Sequence, residues 1–431
     1  MQLTDFFAPL AGLPFLATIP IIVFFLGILV RQPAQKALEG AVKVTIGGFG
    51  MWGMSWVAIK FFGPAVMNAA QTMGGSMSNM TLIDVGWTNA AVALTSPMMW
   101  LGILIFVGIN VGLIWIRVTK TLYVDFPAMW RAAWTGLIVW EAADSFLWGT
   151  LAMEIFLISD VLLADWNAKR QQTFHEFNPL ASFPNSQNAA VIAAPLAWIL
   201  AHIPGLKDWN LKGEWAKKHL TFWAQPLVLG MVTGVVLGLL GWQSSTVWYN
   251  NILNALLIGG ISSMMFHVWP MALGVLFEGW SVFNEGMRNI LVKWMKGKRE
   301  VYVALDTSVL LGHPTVATST MLMYPIAFLI SIFVPGVGLF PVISVQIIQW
   351  WMAHITGWTK GNIIHNLIIC SVVVILYGWA ATAMAEPYTF WVNHFGMMPK
   401  EIADAGMMVT NWDGGGDLRI WILYKLAALL P

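Results

Sequence analysis

Long apolar runs separated by short polar connections dominate this chain. After an apolar N-terminal segment reaching Val30, further runs lie near 41–68, 99–116, 133–163, 189–203, 221–241, 251–276, 321–348 and 362–386. Most approach or exceed the roughly 20 residues that an α-helix needs to cross a bilayer. Gly and Pro interrupt many of them, which blurs individual boundaries without erasing the pattern. The first segment has no basic residue before Arg31. A signal peptide would place positive charge ahead of its apolar stretch, so the pattern predicts a retained first helix. Arg31 and Lys36 follow it directly, which puts the N-terminus outside by the positive-inside rule. No appended soluble domain and no low-complexity linker is visible.

Composition strengthens this reading. Of 431 residues, 58% are apolar and only 10% are charged, against about 25% charged in a soluble globule. The apolar content suffices for about ten spanning helices, so the fold class expected is an all-α polytopic membrane protein. With 22 Lys+Arg against 21 Asp+Glu, the charge balance lacks the basic excess of a nucleic-acid binder. Cys370 is the single cysteine, which excludes an intrachain disulfide, a multi-cysteine zinc site and a haem-attachment motif. A GxxxxGK[ST] loop, HExxH and CxxC are all missing, so nucleotide hydrolysis, a bound metal and a cofactor are not expected. The Gly-rich Asn411–Asp417 reads as a loop with an acidic rim. Basic residues concentrate at Arg117 and Lys120, at Lys169 and Arg170, at Lys207, Lys212, Lys217 and Lys218, and at Arg288, Lys293, Lys296, Lys298 and Arg299. The last two groups read as cytoplasmic loops, with a docking surface for a soluble partner as a further role. Many of the 26 tryptophans, including Trp350, Trp351 and Trp379, fall near expected helix ends, where the ring suits the headgroup level.

Two stretches do not look like spanning helices. Residues 81–97 and 305–320 each place an Asp early, then small and hydroxylated residues, then a long apolar helix. A shift of 223 aligns Thr95-Ser96 and Met98 with Thr318-Ser319 and Met321, and a shift of 221 aligns Thr135-Gly136 with Thr356-Gly357. Two echoes in order at nearly one offset predict a duplicated architecture, with halves at about 1–165 and 221–390. Transporters built from repeats hold substrate at broken helices near the midplane, and irregular backbone survives there only when buried or lining a cavity. The two stretches therefore read as re-entrant hairpins whose tips meet around a substrate.

An ionisable group inside an apolar segment usually marks function. Asp306 sits in such a setting, where a carboxylate can accept from vicinal hydroxyls or serve as general base, or simply cap a helix. His313, between Gly312 and Pro314, is a binding group or a turn residue. Asp84 and Trp87 pair a carboxylate with an aromatic platform, or Asp84 caps its own turn. Asn185, Gln187 and Asn188 supply amides for a hydroxyl-rich pocket or solvate a loop. Glu141, Asp144, Glu154, Glu278 and Glu386 are further candidates that pairing with Arg131 or a helix-end position would equally explain.

These residues carry a resemblance. Leu305-Asp306-Thr-Ser-Val-Leu-Leu-Gly-His313, Ile83-Asp84-Val85-Gly86-Trp87, Ser96-Pro97-Met98, Val124-Asp125, Trp130, Thr135-Gly136, Ile203-Pro204-Gly205, Gly361-Asn362 and Asp413-Gly-Gly415 match in order. The chain resembles the galactitol-type enzyme IIC permeases of the bacterial phosphoenolpyruvate-dependent sugar phosphotransferase system, and more distantly the ascorbate-type IIC proteins. The resemblance implies a homodimer in the inner membrane, inverted repeats, and a core domain moving in an elevator-like way. It also implies a polyol substrate phosphorylated by a separate cytoplasmic IIB protein, itself served by IIA, with Asp306 as the contributed carboxylate. Two positions depart from it. Pro184-Asn185 stands where the galactitol-type chains carry Pro-His, and Ala224-Gln225-Pro226 where they carry Gly-Glu-Pro, so Asn185 and Gln225 bear on substrate and coupling. A non-phosphorylating secondary sugar transporter on the same scaffold is the alternative reading.

Overall fold

The computed structural model describes residues 15–73, 82–123, 125–210, 222, 225–241, 248–295, 301–398, 400–404 and 406–429. Lys212, Lys217, Lys218, Lys296, Lys298 and Arg299 lie outside the described residues. The fold is helical, with five very short strands. In order come α1 (Phe15–Leu29), α2 (Ala34–Met73), β1 (Leu82–Asp84), α3 (Thr88–Thr95), α4 (Pro97–Trp115), β2 (Thr121–Leu122), a 3-10 turn (Phe126–Met129), α5 (Trp130–Ala143), α6 (Phe146–Phe174), β3 (Ala181–Ser182) and α7 (Gln187–His202). There follow α8 (Pro226–Gly241), α9 (Trp248–Met295), β4 (Tyr302–Ala304), a 3-10 turn (Thr307–Leu310), α10 (Pro314–Phe333), a second 3-10 turn (Ser344–Ile347), α11 (Ile348–Thr359), α12 (Ile363–Ala383), α13 (Ala385–His394), α14 (Lys400–Asp404), β5 (Met408–Thr410) and α15 (Leu418–Ala427).

Among the described residues, five segments are long and apolar enough to cross a membrane: α4, α6, Tyr249–Val268 within α9, α10 and α12. This is a helical membrane protein, with fewer segments meeting that criterion than the apolar runs suggested. Local breaks account for part of the difference. The run 133–163 is cut at Asp144, which takes a left-handed conformation (φ 44°) between α5 and α6. Ser145 then opens α6 by accepting from the Trp148 N–H at 3.5 Å. Lys360 (φ 55°) makes the same break between α11 and α12, and Asn362 caps α12 by accepting from the His365 N–H at 3.1 Å. The run 321–348 ends at Phe333, where Pro335 and Gly336 (φ 83°) leave the helical region.

The same order of elements occurs twice, over 15–202 and 226–427. Each half runs through two helices, a strand, a helical turn, a long apolar helix, a strand or bridge, a 3-10 turn, a helical pair broken by a left-handed residue, a strand and a last helix. In this order α7 and α15 come last in the two stretches, and α13 and α14 interrupt the second. The strands are exchanged. β1 pairs in parallel with β5 and bridges to Leu339, whereas β4 lies between β2 and β3, parallel to both. Each half's first strand thus finds its backbone partners in the other half. In an apolar interior such pairing is what makes extended backbone tolerable.

Helices α1, α2, α8 and α9 pack on one another through glycines. A Cβ on Gly279 would lie 2.5 Å from the Gly40 carbonyl oxygen, and one on Gly40 would lie 2.8 Å from the Gly279 oxygen. Small residues permit such close approach of backbones in membranes. Gly279→Val is expected to cost about 2 kcal/mol or more by overpacking. Thermal unfolding of the purified protein should show a lowered midpoint, whereas Gly260→Val, where an added Cβ meets nothing within 4 Å, should leave it unchanged.

Candidate functional site

Strand β4 delivers the central carboxylate. Its ladder continues one residue past the strand, with the Leu305 N–H donating to the Ser182 oxygen at 2.9 Å. The chain then turns, and Asp306 caps the 3-10 turn, its Oδ1 accepting from the Ser308 N–H at 2.7 Å. The capping role and a site role are not exclusive. Trp350 Nε1 approaches the same oxygen at 3.4 Å, and Asn185 Nδ2 donates to Oδ2 at 2.5 Å. A carboxylate has about four acceptor positions, so three donors leave room for one more. Asp306 is only partly buried.

Strand β3 brings Asn185 to it. The Asn185 amide is oriented by its surroundings: the Tyr123 hydroxyl donates to Oδ1 at 2.9 Å, so Nδ2 points at Asp306. Its backbone oxygen accepts from the Thr307 hydroxyl at 2.9 Å and faces His354 Nε2 at 2.7 Å. Asp125, just after β2, takes the Asp306 backbone N–H and accepts from Asn284 of α9 at 3.2 Å.

Trp87 is also at this place. Its ring sits edge-on to Trp130 at 5.6 Å and to Trp350 at 6.1 Å. Trp350 and Trp351, expected at the lipid headgroups, are 3% and 1% exposed; α11 is buried on every side, so its rings face protein. Trp379 is 46% exposed.

The structure separates other candidates from this cluster. Asp84 is buried, and both of its oxygens are already engaged. Oδ1 accepts from the Gly86 N–H at 2.9 Å, and Oδ2 accepts from the N–H groups of Ile343 and Ser344, each at 2.7 Å, and from the Ser344 hydroxyl at 3.0 Å. Gly86 serves this turn with φ 56°, and a Cβ there would lie 2.6 Å from Ile343 Cγ2. Gln187 accepts from Asn167 Nδ2 at 3.0 Å and donates to the Phe183 oxygen. His313 caps α10, accepting from the Thr315 N–H at 3.3 Å, and its ring lies against Phe174 and His175 at 4.7 and 5.2 Å. Gln225 lies in an exposed turn before α8, its N–H donating to the Phe222 oxygen at 3.2 Å.

Beneath the cluster lies buried charge. Arg131 meets Asp413 at 2.7 Å, not any of the glutamates on α5 and α6, and donates to the Ser186 hydroxyl at 3.3 Å. Arg419 bridges Asp160 at 2.5 Å and Asp417 at 3.0 Å. The Asn411–Asp417 loop is therefore no solvated acidic rim. It is buried throughout, because its aspartates neutralise two interior arginines and its Gly414 oxygen accepts from Trp134 Nε1 at 3.2 Å. Removing one member of a buried pair strands the other charge at about 3–5 kcal/mol. Arg131→Met is expected to abolish folded yield, while Arg131→Met with Asp413→Leu recovers most of it; size-exclusion profiles in detergent decide.

A cavity of about 340 Å³ opens beside Asp306. Ser308, Val309 and Leu311 line it from the turn after Asp306, Gln346 from the 3-10 turn before α11, Gln349 and Trp350 from the start of α11, and Gly274 and Phe277 from α9. Amides and an aromatic edge thus line a space next to a partly exposed carboxylate. Tyr123, Gln346, Gln349, Trp350 and the Arg131–Asp413 pair were missed by sequence reasoning. The one available signal was Gln346-Ile-Ile-Gln349-Trp350, two amides three residues apart inside an apolar run.

Apolar helices closing over a polar site define a membrane protein that holds a small ligand in its interior. The chain belongs to the family of sugar-specific permease components of the phosphotransferase system (PTS), whose model matches residues 16–407. It is accordingly a PTS sugar-specific permease component. A protein of Escherichia coli (strain K12) with the provisional name of a permease IIC component is 27% identical over 398 residues, covering 89% of this chain and 85% of that protein. The galactitol-specific PTS EIIC component of the same strain is 23% identical over 416 residues, covering 95% and 87%.

Proposed function

We propose that this chain binds a galactitol-like polyol or related sugar at Asp306, carries it across the bacterial inner membrane, and presents it for phosphorylation by a separate IIB protein charged by IIA. The observation that supports this reading is the partly buried Asp306 carboxylate, which accepts from Asn185, Ser308 and Trp350 with one acceptor position to spare, the last two of these residues lining a cavity of about 340 Å³. A sugar hydroxyl donates there. In the transfer, that hydroxyl oxygen forms a bond to phosphorus as the donor's S–P bond breaks. Asp306 takes the proton, and the IIB cysteine leaves as thiolate. Trp87 and Trp350 supply an apolar wall for the carbon chain.

The doubled element order supports inverted repeats, with 81–97 and 305–320 as re-entrant segments on either side of the substrate. Ordinary polar backbone is acceptable there because the strands are buried in protein. A homodimer with an elevator-like core completes the picture. Asn185 in place of the family's His keeps the hydrogen bond to Asp306 without a titrating group, and Asp84 and Gln187 act by positioning.

The test uses inside-out vesicles bearing the protein, given phosphoenolpyruvate, the general phosphotransferase proteins, candidate IIA and IIB chains, and labelled hexitols, pentitols and sugars. A IIB-dependent sugar phosphate is the expected product. Free sugar accumulating in right-side-out vesicles with no phosphorylated product would replace this reading by a secondary transporter.

A further inference from the structure

Asp125 is a buried carboxyl that the transfer described above does not use. It follows β2, whose ladder to β4 sets Thr121 against Tyr302 and Leu122 against Val303. At that same offset Asp125 falls opposite Asp306, and its carboxyl accepts from the Asp306 backbone N–H. Asp125 is 5% exposed and lies outside the five spanning segments. Its other partner comes from a different layer: Asn284 of α9 donates through Nδ2 to Asp125 Oδ1 at 3.2 Å. Helix α9 packs chiefly on α2 and α8, so this bond ties their layer to the strands that carry the site. One acceptor of the pair is unsatisfied. Asn284 Oδ1 is buried and, among the described residues, has no hydrogen-bond partner. It is bonded to the same carbon as the donating Nδ2, so it is carried close to the same carboxyl. An ionised Asp125 offers it nothing, because a carboxylate only accepts; a protonated one has an O–H to give. An acid beside an amide then closes a ring of two hydrogen bonds.

Charge points the same way. Burial first, and then the Asp306 carboxylate opposite, raise the Asp125 carboxyl to about 7, against the pull of Asn284 and the Asp306 N–H. The other groups around it do not offset the charge. Tyr123, on its own segment, donates its phenol hydrogen to Asn185. Arg131 is committed to Asp413 and Ser186, and Glu285, next along α9, is exposed.

We propose that Asp125 and Asn284 form a proton-binding site that latches α9 to the strand carrying Asp306, shut when Asp125 holds a proton and loosened when it does not. An arrangement that raises a group's pKa is itself favoured by the proton. The latch therefore contributes fully below the ordinary carboxyl value of 3.8, and that contribution is lost as the pH rises through about 7. Asp306 governs it. While Asp306 is ionised, its charge keeps the proton on Asp125. Once Asp306 has taken the proton of the attacked hydroxyl, Asp125 releases its own to water and the latch loosens. That last step rests on the base role proposed above, whereas the titration of Asp125 does not.

Infrared titration of the full-length protein in lipid nanodiscs reads the acid directly, through the carbonyl stretch that only a protonated carboxyl shows. One such band should fade with a midpoint near 7 and be missing from Asp125→Asn. Asn284→Leu should move the band, because an acid that has lost its amide partner vibrates at a higher frequency. Asp306→Asn removes the charge opposite and should lower the midpoint by about one pH unit or more. Asp125→Asn pairs amide with amide, which closes the same ring without a proton, so its thermal midpoint should hold steady across the range where the wild type falls. Should that variant fail to fold, the Asn284→Leu shift alone assigns the band to this pair. A wild type without the band, or a band that persists in Asp125→Asn, overturns the proton site. A band that Asn284→Leu leaves in place overturns the latch, and a midpoint that Asp306→Asn leaves in place overturns the control by Asp306. The vesicle assay decides the base role separately: no sugar phosphate there, with this titration intact, removes the functional reading and leaves the proton site standing.

Discussion

An Asp306→Asn chain should insert and fold yet lose IIB-dependent sugar phosphorylation by at least about 100-fold, the low end of what a general base contributes. The replacement keeps the shape, and its Oδ1 can still accept from the Ser308 N–H and Trp350. It removes the group that accepts the proton of the attacked hydroxyl. It also sets an amide nitrogen against Asn185 Nδ2, which cannot turn away because the Tyr123 hydroxyl holds its Oδ1 at 2.9 Å. That second effect is separable. Exchanging the two residues, Asp306→Asn with Asn185→Asp, restores a carboxylate-to-amide bond at the same place while moving the charge. The exchanged protein should regain thermal stability and remain inactive. Turnover within about threefold of wild type in either variant would remove Asp306 from the base role.

Asp84→Ala should be the most destabilising single change at the site. It removes the acceptor of three backbone N–H groups and one hydroxyl, all buried. At about 1–3 kcal/mol for each stranded donor, the sum rivals the whole stability of an ordinary domain, about 5–15 kcal/mol. Folded protein should be nearly unrecoverable. Asp84→Asn keeps one acceptor oxygen and should fold with a depressed unfolding midpoint. The sequence had offered Asp84 as a carboxylate touching substrate. Normal stability with abolished binding in Asp84→Asn would restore that role.

What could be read in advance follows from the range of the interactions. Asp306, Trp87 and Asn185 stand out in the sequence because each breaks an apolar or loop pattern within a few residues of itself, and the structure sets them near one another. The membrane class was legible because bilayer thickness imposes a length on apolar runs. Trp350 was not, since a Trp inside an apolar run looks the same whether it faces headgroups or a buried carboxylate. Arg131 and Asp413 are 2.7 Å apart in space and distant in sequence, so neither names the other. Strands of two or three residues carry no alternation to detect, and they are what bring Asp306, Asn185 and Tyr123 together. Asp84 read equally as a substrate carboxylate or a cap of its own turn; its oxygens accept from Gly86 in that turn and, from far along the chain, from Ile343 and Ser344.

The exchanged strands also bear on how the protein is made. Leu82–Asp84 leaves the ribosome long before its pairing partner Met408–Thr410. Tyr302–Ala304, by contrast, finds β2 and β3 already in place. Leu82–Asp84 must therefore wait with open backbone groups until residues 408–410 have been made. A chain stopped short of residue 408 is not a smaller permease. It is an unfinished one whose first strand keeps only the single bridge to Leu339, and membrane quality control has a ready mark by which to recognise it.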